Sequence, residues 1–112
     1  MNKKIAIPLT QGVLSSHFGH CEVFYFADVE NDVIKNEEIV TPPTHEPGLY
    51  PRWIKEQGAD LVITGGIGQK ARTLFAENKV DLFIGTQKLQ PKDIVKEYIA
   101  GILTEGSNSC DH

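Results

Sequence analysis

The second half of this chain of 112 residues alternates apolar segments with amphipathic ones, and that alternation limits its fold more than any other feature. Residues 60–64 (DLVIT) and 80–84 (VDLFI) are typical of buried strands. After the first of them, Ala71, Leu74 and Phe75 recur at the three- and four-residue spacing of a helix. Strands and helices joined by short connections predict right-handed parallel crossovers in an α/β sheet.

The first half is typical of a strand meander. Residues 3–9, 23–29 and 33–40 have strand composition, and the turn at 30–32 makes the last two a hairpin whose outer strand lies near a sheet edge. A proline-rich loop then leads to a helix that ends at Gly58, and the final helix begins at Pro91 and ends at Gly101. This element order predicts a three-layer α/β domain with a five-stranded mixed sheet and helices on both faces, in a ribonuclease H-like architecture.

Length and composition predict one domain, over residues 1–103, followed by a flexible tail over 104–112. The net charge of −4 argues against nucleic acid or an anionic membrane as the main partner. We find no run of about 18 apolar residues that could span a membrane. Pro8 interrupts the only apolar run that follows Lys3 and Lys4, so no secretory signal is indicated and we expect a cytoplasmic protein.

The most unusual feature is a cluster of metal donors in the polar loop of residues 10–21. His17, His20 and Cys21 lie within five residues of one another, and imidazole and thiolate suit zinc, copper, iron and iron–sulfur clusters. Cys110 and His112 form a second set at the end of the chain. The spacing matches no standard zinc pattern, and loops expose polar residues in any case. The count of two cysteines allows a disulfide, although a reducing compartment favours metal or redox chemistry.

A glycine turn between a strand and a helix is the second candidate site. It consists of Thr64, Gly65, Gly66, Ile67 and Gly68. Glycines allow a ligand to approach the backbone, and the following helix offers N–H groups to an anion. The turn also fits the dinucleotide fingerprint, but the next strand ends without the acidic residue that this fingerprint requires. Two other interpretations stay open. The glycines serve only a tight turn, or the turn lines the same pocket as the loop of residues 10–21.

The sequence offers no well-supported arrangement of catalytic residues, so we predict that the protein is not an enzyme. A nuclease of ribonuclease H-like fold needs carboxylates on its first strand to hold magnesium, and residues 5–9 contain no acid. No phosphate-binding loop is present. A pair of His20 and Cys21 has no evident third group to complete a nucleophilic site.

Together, these segments resemble the dinitrogenase iron–molybdenum cofactor biosynthesis family. The resemblance is carried by the first strand, by His17-Phe18-Gly19, by the glycine turn, and by the helix end at 98–101 with the Cys110-Asp111-His112 tail. The resemblance covers nearly the whole chain, which would be a small single-domain member of the family. It implies a ribonuclease H-like fold without nuclease activity that binds an iron–sulfur or iron–molybdenum–sulfur cluster, or a precursor of one.

The resemblance assigns His17 and the three turn glycines to the family motif, and Cys110 and His112 resemble a tail of many single-domain members. His20 and Cys21 go beyond that motif and are additional candidate ligands. Proteins that donate or accept the cluster would be the partners. Two alternatives stay open: a mononuclear zinc or copper module, and an anion- or nucleotide-binding module built on residues 65–68. The oligomeric state is also open, since a cysteine-bearing tail could bridge two subunits.

Overall fold

A computed structural model describes residues 1–44, 49–87 and 90–106, with the backbone alone described at His20. The described part contains six strands and three helices. The strands are β1 (Lys3–Thr10), β2 (Val13–Leu14), β3 (Val23–Glu30), β4 (Val33–Val40), β5 (Leu61–Thr64) and β6 (Asp81–Ile84). The helices are α1 (Leu49–Glu56), α2 (Gln69–Glu77) and α3 (Pro91–Ala100), and a 3-10 turn spans Phe18–His20.

The strands form one mixed sheet in the order β4-β3-β1-β5-β6. β1 lies at its centre, antiparallel to β3 and parallel to β5, and β6 continues the parallel half. β4 forms one edge, as its polar sequence predicts. The parallel pairing of β1, β5 and β6 confirms the parallel strands expected from the alternating pattern of the second half.

The prediction of five strands is wrong by one, because the polar loop contains the short strand β2. Gln11 and Gly12 both have positive φ, 54° and 81°, which is the backbone of a two-residue hairpin turn. The turn folds Val13 and Leu14 back onto the end of β1. Residues 10–21 are therefore a loop only in part.

Two apolar cores sandwich the sheet and make the architecture three-layered. One core joins Ala6 and Val62 of the sheet to Ile54 of α1 and Phe75 of α2. The other core packs alternate sheet residues against Ile94 and Val95 of α3. Helices therefore cover both faces, which explains the continuous apolar runs of β1 and β5. No helix within the described ranges is long and apolar enough to cross a membrane.

Candidate functional site

Three loops meet where the parallel strands end. Because β1, β5 and β6 run in the same direction, their carboxyl ends lie along one edge of the sheet. The segments that follow β5 and β6 lie there, together with the loop that follows β2 and bonds to the end of β1. We call this the carboxyl edge and define it as residues 15–21, 65–68 and 85–87. The Gly85 N–H donates to the Thr64 carbonyl oxygen over 2.9 Å, which ties the second and third segments together.

Residues 15–21, the donor loop, are fastened at both ends to β1. The Ser15 N–H donates to Pro8 O at 2.9 Å, and the Glu22 N–H donates to Leu9 O at 2.8 Å. The Ser15 hydroxyl also donates to the His17 carbonyl oxygen at 3.0 Å. A loop closed onto neighbouring residues of one strand has little conformational freedom left to lose when it binds a ligand.

Phe18 holds the donor loop against the glycine turn. Its backbone N–H donates to Gly66 O at 2.9 Å, and its ring is only 4% exposed. The ring packs edge-on against Tyr50 and Phe75, with centroid distances of 6.1 and 5.2 Å, and tilted against Phe24 at 5.7 Å. Burial of this aromatic side chain therefore fixes the backbone of the exposed residue before it, His17.

The glycine turn is built for close backbone approach. A Cβ added at Gly65 would lie 3.5 Å from Ser15 O and 3.6 Å from the Ser16 Cα, so the two loops are in van der Waals contact there. The Thr64 hydroxyl is buried and donates to Gly66 O at 3.1 Å. At Gly68, by contrast, an added Cβ would meet no atom within 4 Å. The turn is therefore packed against protein at Gly65 and open at Gly68.

Cys21 lies at the other end of the donor loop in a different environment from His17. Its side chain is half-buried and packs against the aromatic core that contains Phe18. Burial raises the pKa of the Cys21 thiol from 9.0 to about 11, partly opposed by a backbone hydrogen bond. The pKa of nearby Tyr50 is also raised, chiefly by burial and then by the charge of Cys21. Cys21 is thus a neutral thiol at physiological pH, and a metal would have to displace its proton.

The remaining predicted donors are outside what the structure describes. These are the side chain of His20, together with Cys110 and His112. Within residues 1–44, 49–87 and 90–106, no three His, Cys, Asp or Glu side chains are grouped to hold a metal ion. The described side chains alone therefore do not define a metal site.

The C-terminal segment approaches the same edge from β6. The Gly106 N–H donates to Ile84 O at 3.2 Å, and the Glu105 carboxylate accepts from the Ile84 N–H at 3.3 Å. Glu105 and Gly106 of the predicted tail thus contact the sheet, whereas 107–112 lie outside the described residues. The flexibility of the tail stays a prediction.

Sequence reasoning missed several residues that shape this edge. The sequence pattern places Phe18 in the family motif but does not mark it as an aromatic anchor. Nothing in the pattern indicates a role for Ser15, Gly85 or Gly106. The available signal was a single phenylalanine in an otherwise polar loop, which favours burial at that point. The contact of Gly106 with Ile84 spans 22 positions and has no local signature.

The arrangement suits a compact ligand held mainly by backbone. It combines a rigid loop with an exposed histidine, a glycine turn with open space beside Gly68, and a half-buried thiol. Imidazole, thiolate and backbone N–H groups are ligands and hydrogen-bond donors suited to metal–sulfur clusters. The residues present at the carboxyl edge therefore fit the class of ligand that the sequence predicts.

These features define a small three-layer α/β domain with a candidate ligand site at the carboxyl edge, and comparison with known proteins gives the family. The family model described as dinitrogenase iron-molybdenum cofactor matches residues 1–101. The chain belongs to this family, which confirms the resemblance noted in the sequence.

Three known proteins illustrate the similarity. An uncharacterized protein of Methanocaldococcus jannaschii, MJ0580, is 35% identical in an alignment of 86 residues that covers 71% of this chain and 72% of that protein. The crystal structure of PH0822 has a TM-score of 0.84 and 34% identity, over 91% of this chain and 93% of that one. The apo form of the orange protein from Desulfovibrio gigas has a TM-score of 0.78 and 18% identity, over 96% of each chain. The last of these shows similarity of fold alone.

Proposed function

We propose that this protein is a cytoplasmic, non-catalytic carrier or store of a metal–sulfur cluster, of the iron–sulfur or iron–molybdenum–sulfur type, or of a precursor. Family membership supports this class of ligand. A protein of similar fold, the orange protein, has been described in an apo form, which agrees with a ligand that enters and leaves. Proteins that donate or accept the cluster would be its partners.

The observation that carries the proposal is the hydrogen bond from the Phe18 N–H to Gly66 O. It joins the two segments that carry the family motif into one surface at the carboxyl edge. His17 would contact the cluster from the donor loop, and backbone N–H groups of the glycine turn would orient it. Few side-chain ligands suit a carrier, since a cluster in transit must be released.

The absence of an acid on β1 supports a binding role over a catalytic one. If the fold is ribonuclease H-like, as the element order predicts, a nuclease would need carboxylates on this strand, and residues 5–9 have none. The protein would then use the sheet edge to hold a ligand without performing chemistry on nucleic acid.

Anaerobic reconstitution tests the proposal. The protein is incubated with iron, sulfide and molybdate, desalted, and analysed for visible absorbance and metal content. Cys21→Ser, Cys110→Ser and the double variant separate the two thiols, and Tyr25→Phe, on the α3 face of the sheet, is a control. We expect a coloured complex of near-stoichiometric metal content in wild type and control, weakened in the double variant. A colourless, metal-free wild type would refute the proposal.

A further inference from the structure

The strand β4 forms an open edge of the sheet. In the described part of the chain it pairs with β3 alone, and six of its eight residues are exposed. The exposed residues include two large apolar side chains, Val33 at 53% and Ile39 at 58%. Because an edge strand offers its outer N–H and C=O groups to another strand, β4 is a surface on which the sheet can be extended.

The sequence of β4 is complementary to itself in the antiparallel direction. Its residues match in three pairs, counted inward from the two ends: Val33 with Val40, Ile34 with Ile39, and Lys35 with Glu38. In a dimer with a two-fold axis, two copies of one strand lie antiparallel and each residue meets its match from the other copy. Apolar side chains then meet at both ends of the strand, and opposite charges meet between them.

A β-bulge makes the side chains of these pairs face the same way. Ile34 and Ile39 are five positions apart, and a regular strand would place them on opposite faces. The pairing of β4 with β3 passes over Lys35, which is therefore an extra residue that shifts the alternation by one. Ile34 packs against the core on the α3 side, and Ile39 lies opposite Tyr25, which belongs to the same core. Since residues opposite one another in an antiparallel pair share a face, Ile34 can meet Ile39 of a second copy.

From these observations we propose that two copies of this protein associate through β4 and join their sheets across a two-fold axis at Glu37. This inference goes beyond the proposed function and does not depend on it. Lys35 and Asn36 of one copy lie opposite Glu38 of the other. The two Glu37 carboxylates approach each other at the axis, and each already pairs with Lys92 of its own copy at 3.6 Å, so two cations balance the two acids.

A groove between β4 and α3 adjoins this edge and receives the apolar ends of the interface. It is lined by Val33 and Ile34 on the β4 side and by Lys96 and Ile99 on the α3 side. Ile39 of the second copy, opposite Ile34, lies at this groove and loses much of its exposure. A pair of eight-residue strands makes a small interface, so the association depends on protein concentration.

Sedimentation velocity from micromolar to millimolar protein tests the proposal through a charge exchange. The wild type should convert from monomer to dimer as the concentration rises. Lys35→Glu and Glu38→Lys should each raise the dimer dissociation constant by at least about tenfold, because two like-charge contacts replace two attractive ones. The variant that combines both substitutions should return to the wild-type value. Lys55→Glu, which makes the same charge change on the exposed side of α1, should leave the constant unchanged.

A disulfide test locates the two-fold axis, in a Cys21→Ser, Cys110→Ser background. Opposite residues of antiparallel strands have Cα atoms about 4.5–5.5 Å apart, so Glu37→Cys places two thiols within disulfide reach across the axis. Ile39→Cys is the matched control from the same face of β4, because its two copies would lie roughly 14 Å apart. At a concentration where both variants are dimeric, oxidised glutathione should cross-link Glu37→Cys and not Ile39→Cys. A wild type that stays monomeric, a charge exchange that restores nothing, or equal cross-linking of the two cysteine variants would overturn the proposal.

Discussion

The backbone N–H of Phe18 and the carbonyl oxygen of Gly66 are 2.9 Å apart and hydrogen-bonded, although 48 positions separate them in the chain. This bond brings the donor loop onto the glycine turn. The buried ring of Phe18 and the fastening of Ser15 to β1 hold the loop on either side of it. The surface that carries the family motif is therefore a product of core packing as much as of the loop sequence.

Replacing Phe18 by alanine should destabilise the protein strongly. The ring fills a site among Phe24, Tyr50 and Phe75, and truncation of a buried phenylalanine typically costs about 3–5 kcal/mol. Urea unfolding of Phe18→Ala should show this loss in the free energy of unfolding.

Phe83→Ala is the matched control for that variant. Phe83 is half-buried on the α3 side of the sheet, where it packs edge-on against Tyr98 at a centroid distance of 5.6 Å. Truncation of Phe83 should lower the free energy of unfolding by less than Phe18→Ala does, and it should leave metal loading intact. A loss below about 1 kcal/mol for Phe18→Ala would contradict the assigned role of the ring as an anchor.

Gly68→Leu should block ligand binding with only a small loss of stability. Gly68 has a φ of −73° and a ψ of 158°, which any residue adopts, and an added Cβ meets open space. A leucine there would occupy the volume beside the glycine turn that the proposal assigns to the cluster. We expect a small decrease in thermal stability, because leucine is a poorer helix N-cap residue than glycine, and a loss of most metal loading.

The exposed residue Glu30 offers a control for the leucine substitution, because it ends β3 beside the amino end of β1, at the opposite end of the sheet from the carboxyl edge. Glu30→Leu should load metal as wild type does. Unchanged loading in Gly68→Leu would show that the cluster does not use the space beside this glycine.

Alkylation of Cys21 should be slow, and its rate should keep increasing up to high pH. With its pKa raised from 9.0 to about 11, the thiol contains about a hundredfold less thiolate at pH 8 than an ordinary cysteine does. In a Cys110→Ser background, iodoacetamide reports on Cys21 alone, and the rate should keep increasing until the pH approaches 11. The same protein in denaturant supplies the reference rate. A rate that levels off near pH 9 in the native protein would contradict the burial of the thiol.

Tyr25→Phe should weaken the fold modestly and spare the site. The Tyr25 hydroxyl donates to the Glu37 carboxylate over 2.6 Å, and Glu37 also pairs with Lys92 of α3 at 3.6 Å. Burial, together with that carboxylate, raises the pKa of Tyr25. Because Glu37 can be solvated when the hydroxyl is lost, we expect a cost of about 0.5–1.5 kcal/mol by urea unfolding. A large loss of metal loading in this variant would mean that loading reports on stability and not on the carboxyl edge.

Local patterns predicted most of the framework. Continuous apolar runs identified β5 and β6 because both faces of these strands are covered. Helix α3 ends at Gly101, as the sequence predicts, and this glycine has the left-handed backbone conformation of a helix C-cap. The strand β2 was missed because two residues carry no periodicity, although Gln11 and Gly12 adopt a hairpin turn.

The candidate site was less predictable than the framework. The sequence indicated His17 and the glycine turn as candidates, but nothing local shows that burial of the Phe18 ring holds the donor loop in place. The half-burial of Cys21 depends on the aromatic core, which assembles from distant segments. The contact of Gly85 with Gly106 joins two backbones, and composition cannot reveal such a contact.

The most direct test of the central claim is to map the bound cluster on the backbone by amide NMR. An iron-containing cluster is paramagnetic and broadens the resonances of nearby amides. Protein reconstituted anaerobically with iron, sulfide and molybdate should lose the amide signals of Phe18, Gly66 and Gly68. Signals of Asn31 and Asp32, in the β3–β4 turn at the opposite end of β1, should persist. Broadening centred on that turn, or spread evenly over the chain, would contradict a cluster site at the carboxyl edge.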